Sequence, residues 1–211
     1  MGKNLEPKCK QCRRTGEKLF LRGERCKTTK CAMVKRNYPP GFHGPKQGSK
    51  KRMSDYGERL NEKQKGKKQY NLLEKQFKIT FYKARKKSGD TGENFIQLLE
   101  TRLDNVIYRS GVATSRAQAR QFVNHGQFTV NNKAVKIPSY VVKAGDVVKI
   151  KSNKKTSKIF KDISEKLKNF EFPGWLSVDL KDLSIKVLRS PEMKEVNSNF
   201  NMQMIIEYYS K

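Results

Sequence analysis

Four cysteines, Cys9, Cys12, Cys26 and Cys31, lie at the front of a 211-residue chain that contains no others. Their spacing is Cys-x2-Cys-x13-Cys-x4-Cys. Two close pairs joined by a loop suit a tetrahedral zinc site, because each pair can set two thiolates on one side of the ion. The many lysines and arginines between Lys8 and Lys30 are expected to lower the thiol pKa values and favour metal binding. Four thiolate ligands leave no position for water, so such a site is structural and predicts no metal-activated nucleophile. Spacing alone also admits an iron–sulfur cluster, which takes the same four ligands. A redox pair normally stands beside a βαβ pattern, which this segment lacks. Four unrelated buried cysteines would need a more apolar neighbourhood than it supplies. A disulfide-built core is excluded, and the absence of a hydrophobic signal region after Met1 points to the reducing cytosol.

The elements that must hold this knuckle are sparse. Residues 1–45 read as irregular and end in Tyr38-Pro39-Pro40-Gly41-Phe42-His43-Gly44-Pro45, where prolines and glycines rule out helix or central strand. A basic arm follows over 46–52. From Ser54 the character changes: Ser54 can cap a helix, and Tyr70, Leu73, Phe77 and Phe81 then recur at helical spacing, with lysines and arginines on the opposite side. Ser88-Gly89-Asp90-Thr91-Gly92 ends that helix. Phe95, Leu98, Leu99, Leu103, Val106 and Ile107 predict one further amphipathic helix, stopped at Ser110-Gly111.

A second constellation begins at Thr114-Ser115. Ser115 fits a helix cap with Gln118 three residues on. Arg116 and Arg120 are four apart and so project from one helical face. Hydroxyls, two arginines and the free N–H groups of a helix start on one surface form a phosphate-reading patch, which Lys133 could extend. An ordinary capped surface helix with two solvated arginines explains the same pattern equally well. Short strands are expected next: Phe128–Val130 and Lys133–Val135 across the turn pair Asn131-Asn132, then Val147–Ile150, then a hairpin of Trp175–Leu180 with Leu183–Leu188. Met204, Ile205 and Tyr208 place a last helix over Asn201–Tyr209.

Charge narrows the partner. Lys and Arg number 47 against 20 Asp and Glu, a net charge of +27. Residues 1–98 hold 27 basic against 9 acidic side chains, so most of the excess lies in the front half. An excess of that size needs a polyanion. No run of about 18 apolar residues exists, so nucleic acid is favoured over lipid and no membrane partner is expected. No Gly-rich phosphate loop or catalytic grouping stands outside these segments, and His43 and His125 are more simply loop residues than general bases. No enzyme and no small-molecule substrate are expected.

Motifs then accumulate in a recognisable order. They are Cys31-Ala32-Met33, Tyr38-Pro39-Pro40-Gly41 with His43-Gly44, Ser54-Asp55-Tyr56-Gly57, Glu62-Lys63-Gln64-Lys65, Glu74-Lys75-Gln76-Phe77 and Thr91-Gly92-Glu93-Asn94. The stretch from Arg102 to Gly126 continues through Phe128–Asn131 and Ile137-Pro138-Ser139-Tyr140 to Gly145-Asp146. Over about 150 residues the sequence resembles the S-four family of bacterial small-subunit ribosomal proteins, in its zinc-binding branch. The resemblance implies an α+β fold: a mainly helical domain with an N-terminal zinc knuckle and an inserted α-L-type RNA-binding domain carrying short β-hairpins. It divides the chain into a zinc-binding segment (1–45), helical domain (46–98), RNA-binding module (99–188) and a C-terminal return (189–211).

The function implied is that of a structural constituent of the small ribosomal subunit, cytoplasmic and within the ribosome. Such a protein binds small-subunit rRNA early, nucleates assembly of the body and contributes to decoding accuracy. Its further partners would be neighbouring small-subunit proteins and mRNA near the path by which it enters. Zn is the implied cofactor, held by Cys9, Cys12, Cys26 and Cys31. Candidate RNA-facing residues in the module are Thr114, Ser115, Arg116, Gln118, Arg120, Gln121, Asn124, His125 and Lys133. Those in the front half are Arg13, Arg14, Lys35, Arg36, Tyr38, His43, Lys50, Lys51, Arg52, Lys63, Lys67, Lys68, Lys75, Lys78 and Arg85. Three rivals fare worse. A modifying enzyme or synthetase with this module appended needs a catalytic domain for which no motif is found. A zinc-finger DNA regulator needs a recognition helix against its second ligand pair, and a free RNA chaperone needs neither knuckle nor basic helical domain.

Overall fold

A computed structural model describes residues 2, 4–45, 53–152, 160, 163, 167, 170–180, 182–196 and 198–210. The basic arm over 46–52, and with it Lys50, Lys51 and Arg52, lies outside the described residues, as does most of the lysine-rich stretch after 152. The chain forms two compact units, one of Met1–Gly92 with Asn197–Lys211 and one of Glu93–Val196.

In the first unit the segment expected to be irregular carries three short helical elements: α1 (Lys8–Thr15), a 3-10 turn (Gly23–Cys26) and α2 (Ala32–Lys35). Gly16 ends α1 at φ 76, a left-handed C-cap open to glycine without strain. The main helices are α3 (Asp55–Gln69) and α4 (Glu74–Arg85). Ser54 caps α3 as expected, its hydroxyl accepting from the Gly57 N–H at 3.3 Å. The apolar run from Tyr70 does not continue as one helix. Asn71 sits at φ 54, in the left-handed region that asparagine tolerates, and breaks the chain between α3 and α4. Leu72 is consequently buried, while Leu73 stands 40% exposed at the start of α4.

The C-terminal helix α8 (Met202–Ser210) closes this unit against α3 and α4. Tyr209 stacks 4.7 Å from Phe81, and Phe200 lies 6.3 Å from Tyr70. A Cβ at Gly66 would stand 3.3 Å from both Ile205 Cδ1 and Phe77 Cζ, so the lack of a side chain there permits the close approach. Polar contacts fix the same packing. Arg59 Nε donates to Glu207 at 2.7 Å, and the Tyr209 hydroxyl donates to Glu74 at 2.9 Å.

The second unit begins within α5 (Thr91–Glu100) and continues with α6 (Leu103–Arg109) and α7 (Arg116–Asn124). The single helix expected from Phe95 to Ile107 is broken at Thr101-Arg102. Arg102 is extended and bridges Val141, the Leu103 N–H donates to Tyr140 O at 2.8 Å, and the Val142 N–H donates to Thr101 O at 2.8 Å. Backbone bonds to a loop about forty residues away thus outcompete continuation of the helix.

The strands β1 (Phe128–Val130), β2 (Lys133–Ala134), β3 (Val147–Ile150), β4 (Leu176–Asp179) and β5 (Ser184–Val187) all form. Asn131 and Asn132 turn the first hairpin at φ 48 and 64, as that pair predicts. The two expected hairpins are joined in one antiparallel sheet of order β2-β1-β3-β5-β4, with Val148 opposite Ile185. Phe122, Phe128, Val148, Phe160, Trp175 and Ile185 meet in its core. No helix among the described residues is long and apolar enough to cross a membrane.

Candidate nucleic-acid interface

The cysteine donors come from three local structures. Cys9 and Cys12 lie on α1, Cys26 ends the 3-10 turn, and Cys31 precedes α2. Cys12, Cys26 and Cys31 are buried, Cys9 is half-buried, and none is in a disulfide. The Arg22 N–H donates to Cys26 Sγ at 3.3 Å. Burial pushes the Cys12 thiol up, the Leu19 N–H opposes this, and the other three cysteines add to the rise. The lowering expected from nearby lysines and arginines is therefore not what dominates at Cys12. Burial and like charge outweigh side chains that mostly point to solvent. Four thiols are a donor set that a tetrahedral metal ion accepts, and Cys12 stands within electrostatic reach of Cys9, Cys26 and Cys31. Among the described residues, however, no three His, Cys, Asp or Glu side chains are drawn together as a metal-holding group.

Arg13 braces the loop that follows. Its guanidinium donates to Tyr38 O at 2.9 Å and Pro39 O at 3.1 Å and lies 4.6 Å over the Tyr38 ring. Tyr38 is half-buried beneath it, while His43 is exposed and meets Phe42 edge-on. Arg14, Lys35, Arg36, Lys75, Lys78 and Arg85 are all exposed. Lys63 is different. It is 3% exposed, with its ammonium 2.9 Å from Glu74 and 4.8 Å over the Tyr208 ring. Lys67 pairs with Glu74 at 3.1 Å. Burial alone would raise the Glu74 carboxyl, but Lys63, Lys67 and Tyr209 prevail and hold it below the usual carboxylate range. Lys63 and Lys67 are thus used inside the unit, whereas the exposed set faces outward.

Ser115 caps α7 as expected, its hydroxyl accepting from the Gln118 N–H at 3.3 Å. Gln118 Oε1 accepts from both the N–H and the hydroxyl of Thr114, each at 2.8 Å. Gln121, Asn124, His125 and Lys133 are exposed.

Arg116 and Arg120 do not project outward. They are 9% and 5% exposed. Arg116 Nε donates to Asn105 Oδ1 at 2.7 Å, its guanidinium lies 4.4 Å over the Tyr108 ring, and it stands 4.0 Å from Glu100. Arg120 donates to Asp104 at 3.4 Å, and Arg102 binds the same carboxylate through two nitrogens at 3.1 and 2.9 Å. Glu100, fully buried, takes Arg109 through two bonds of 2.9 and 2.8 Å and the Asn105 amide at 2.7 Å. The physical reason is charge balance: carboxylates taken out of water need cations and hydrogen bonds around them. Burial lowers the Arg120 guanidinium from its usual value, and Asp104 counters that.

Glu100, Asp104 and Asn105, with Arg102 and Arg109, were not legible as site residues. The available signal was acids placed on the apolar faces of α5 and α6, beside Leu99, Leu103 and Val106, where a carboxylate has no solvent to face.

Residues 3–100 match the model of the Ribosomal protein S4/S9 N-terminal domain, and residues 101–148 match the S4 domain. Small ribosomal subunit protein uS4A of Alkaliphilus metalliredigens (strain QYMF) is 48% identical over 211 residues, covering 100% of both chains. Small ribosomal subunit protein uS4 of Acetivibrio thermocellus is 49% identical over 203 residues, 96% of each. The uS4 protein of Dechloromonas aromatica (strain RCB) is 48% identical over 211 residues, again 100% of both. With two domain models in register and full-length identity near half, the chain belongs to the small ribosomal subunit protein uS4 family.

Proposed function

We propose that this chain is a structural, non-enzymatic constituent of the bacterial small ribosomal subunit that binds rRNA. The observation that carries this reading is full-length membership of the uS4 family together with a net charge of +27. Such an excess is compensated by a polyanion. The exposed Arg14, Lys35, Arg36, Lys75, Lys78 and Arg85 supply backbone attraction on the first unit. Gln121, Asn124, His125 and Lys133 offer polar contacts on the second. Sedimentation of cell extract tests it: the protein should travel with small subunits and whole ribosomes. Recovery as a free protein at the top of the gradient would refute the assignment.

The finer role follows the family: early binding that nucleates the subunit body, contacts with neighbouring small-subunit proteins and with mRNA near its path of entrance, and an influence on decoding accuracy. Zinc held by Cys9, Cys12, Cys26 and Cys31 belongs to the same reading. It is supported by the paired spacing, by three buried thiols and by the N–H donors of Arg22 and Leu19 directed at sulfur. When bound, the ion supplies cross-linking of α1 to the turn and α2, and no chemistry on RNA. Metal analysis should return about one zinc per chain by the four-ligand rule. A chelator should raise hydrogen exchange over residues 1–45 while the second unit stays protected. Iron with sulfide, or no metal, would overturn the assignment.

A further inference from the structure

An open groove of about 860 Å³ runs along the first unit between α1, the Pro40-Gly41 loop and the α3–α4 corner. Its volume falls in the range that holds small organic ligands. Its chemistry is divided. Lys10, Arg14 and Lys68 line it and take part in no ion pair among the described residues, whereas Lys67, also in the wall, is held by Glu74. The rest of the wall is mixed: Asn4, Glu6, Gln11, Gln64 and Glu74 stand on it with Leu5, 80% exposed, Leu73, 40% exposed, and Pro40. Two leucines left in water beside unpaired cations are an unfavourable surface for a free protein and a complementary one for a ligand with a flat apolar body and an anionic edge.

Lys68 is the distinguishing residue. It is half-buried, and burial pulls its ammonium below the usual value. Glu6 opposes this, and Lys67 and Arg14 reinforce it. A partly desolvated ammonium, with two cations beside it and Glu6 as the opposing charge, gains more from an incoming phosphate than an exposed one does. An extended RNA backbone would satisfy the cations but leave Leu5 and Leu73 in water. A splayed-out base satisfies both, since unstacked bases dock on aromatic and apolar side chains with their phosphate on nearby cations.

We propose that this groove receives one unstacked nucleotide of the bound RNA, its phosphate on Lys68 and Arg14 and its base against Leu5 and Leu73. The proposal rests on the rRNA-binding reading and deepens it. It distinguishes the groove from the exposed basic surface, which reads phosphate alone.

The test uses the full-length, zinc-replete protein with labelled leucine methyls. Adenosine 5′-monophosphate, adenosine, inorganic phosphate and tetraglutamate are titrated separately. The nucleotide should shift Leu5 and Leu73 saturably and bind roughly tenfold tighter than adenosine or phosphate, a difference of about 1.4 kcal/mol. Lys68→Gln should remove that preference. Equal binding of phosphate alone would reduce the groove to an anion seat, and equal binding of tetraglutamate would assign it to an acidic peptide; either overturns the proposal. Binding of small-subunit rRNA by wild type and Lys68→Gln separates the two readings. If wild type fails to bind, the rRNA reading falls. If both bind equally tightly, only the groove falls.

Discussion

Replacing Arg116 and Arg120 together with alanine is expected to destabilise the second unit by about 3–5 kcal/mol, the usual cost of breaking a buried ion pair from one side. The sequence pattern suggests the opposite, two solvated arginines whose loss would weaken RNA binding and leave folding intact. Burial decides between these. At 9% and 5% exposure the two side chains are within the unit, and their removal takes cations from Glu100 and Asp104. Denaturant unfolding followed by Trp175, which is buried in the same core, reads the effect directly. Glu100→Gln is the companion: it should destabilise the unit from the other side, because Arg109 and Arg116 then lose their carboxylate. A double alanine variant with wild-type stability and lost RNA affinity would restore the surface-reader interpretation.

Affinity for small-subunit rRNA is expected to fall by roughly 10³–10⁵ between about 50 and 200 mM salt, as it does for proteins that neutralise about six to ten phosphates. Enough exposed cations exist for that number even after Lys63, Lys67, Arg116 and Arg120 are assigned to internal pairs. Neutralising exposed Lys75, Lys78 and Arg85 on α4 should flatten the slope by about one for each phosphate left without its cation. The same change in Lys63 should instead lower stability, because Lys63 is itself buried and spends its ammonium on Glu74 and the Tyr208 ring. A binding curve insensitive to salt would sink the counter-ion mechanism altogether.

The features legible in the sequence are those decided within a few residues. Ser54 and Ser115 cap their helices because a hydroxyl three residues from an N–H needs nothing else. Asn131-Asn132 turns its hairpin because both residues tolerate positive φ. The break at Asn71 was hidden, since the apolar spacing across it is still helical. The break at Thr101-Arg102 depends on hydrogen bonds with Tyr140 and Val142, which no local pattern announces. The misplacement of Arg116 and Arg120 has the same origin: an i, i+4 pair defines a face, but the carboxylates on α5 and α6 determine that this face points inward.

The first unit is assembled from both ends of the chain, since α8 at Met202–Ser210 packs on α3 at Asp55–Gln69. The second is made of Glu93–Val196. On a chain made from its N-terminus, the helices synthesised first must wait, with Phe77, Phe81 and Tyr70 uncovered, until Phe200 and Met202–Ser210 emerge to cover them. The unit begun second is therefore completed first. Truncation at the C-terminus should accordingly undo the earliest-made part of the protein and spare the middle.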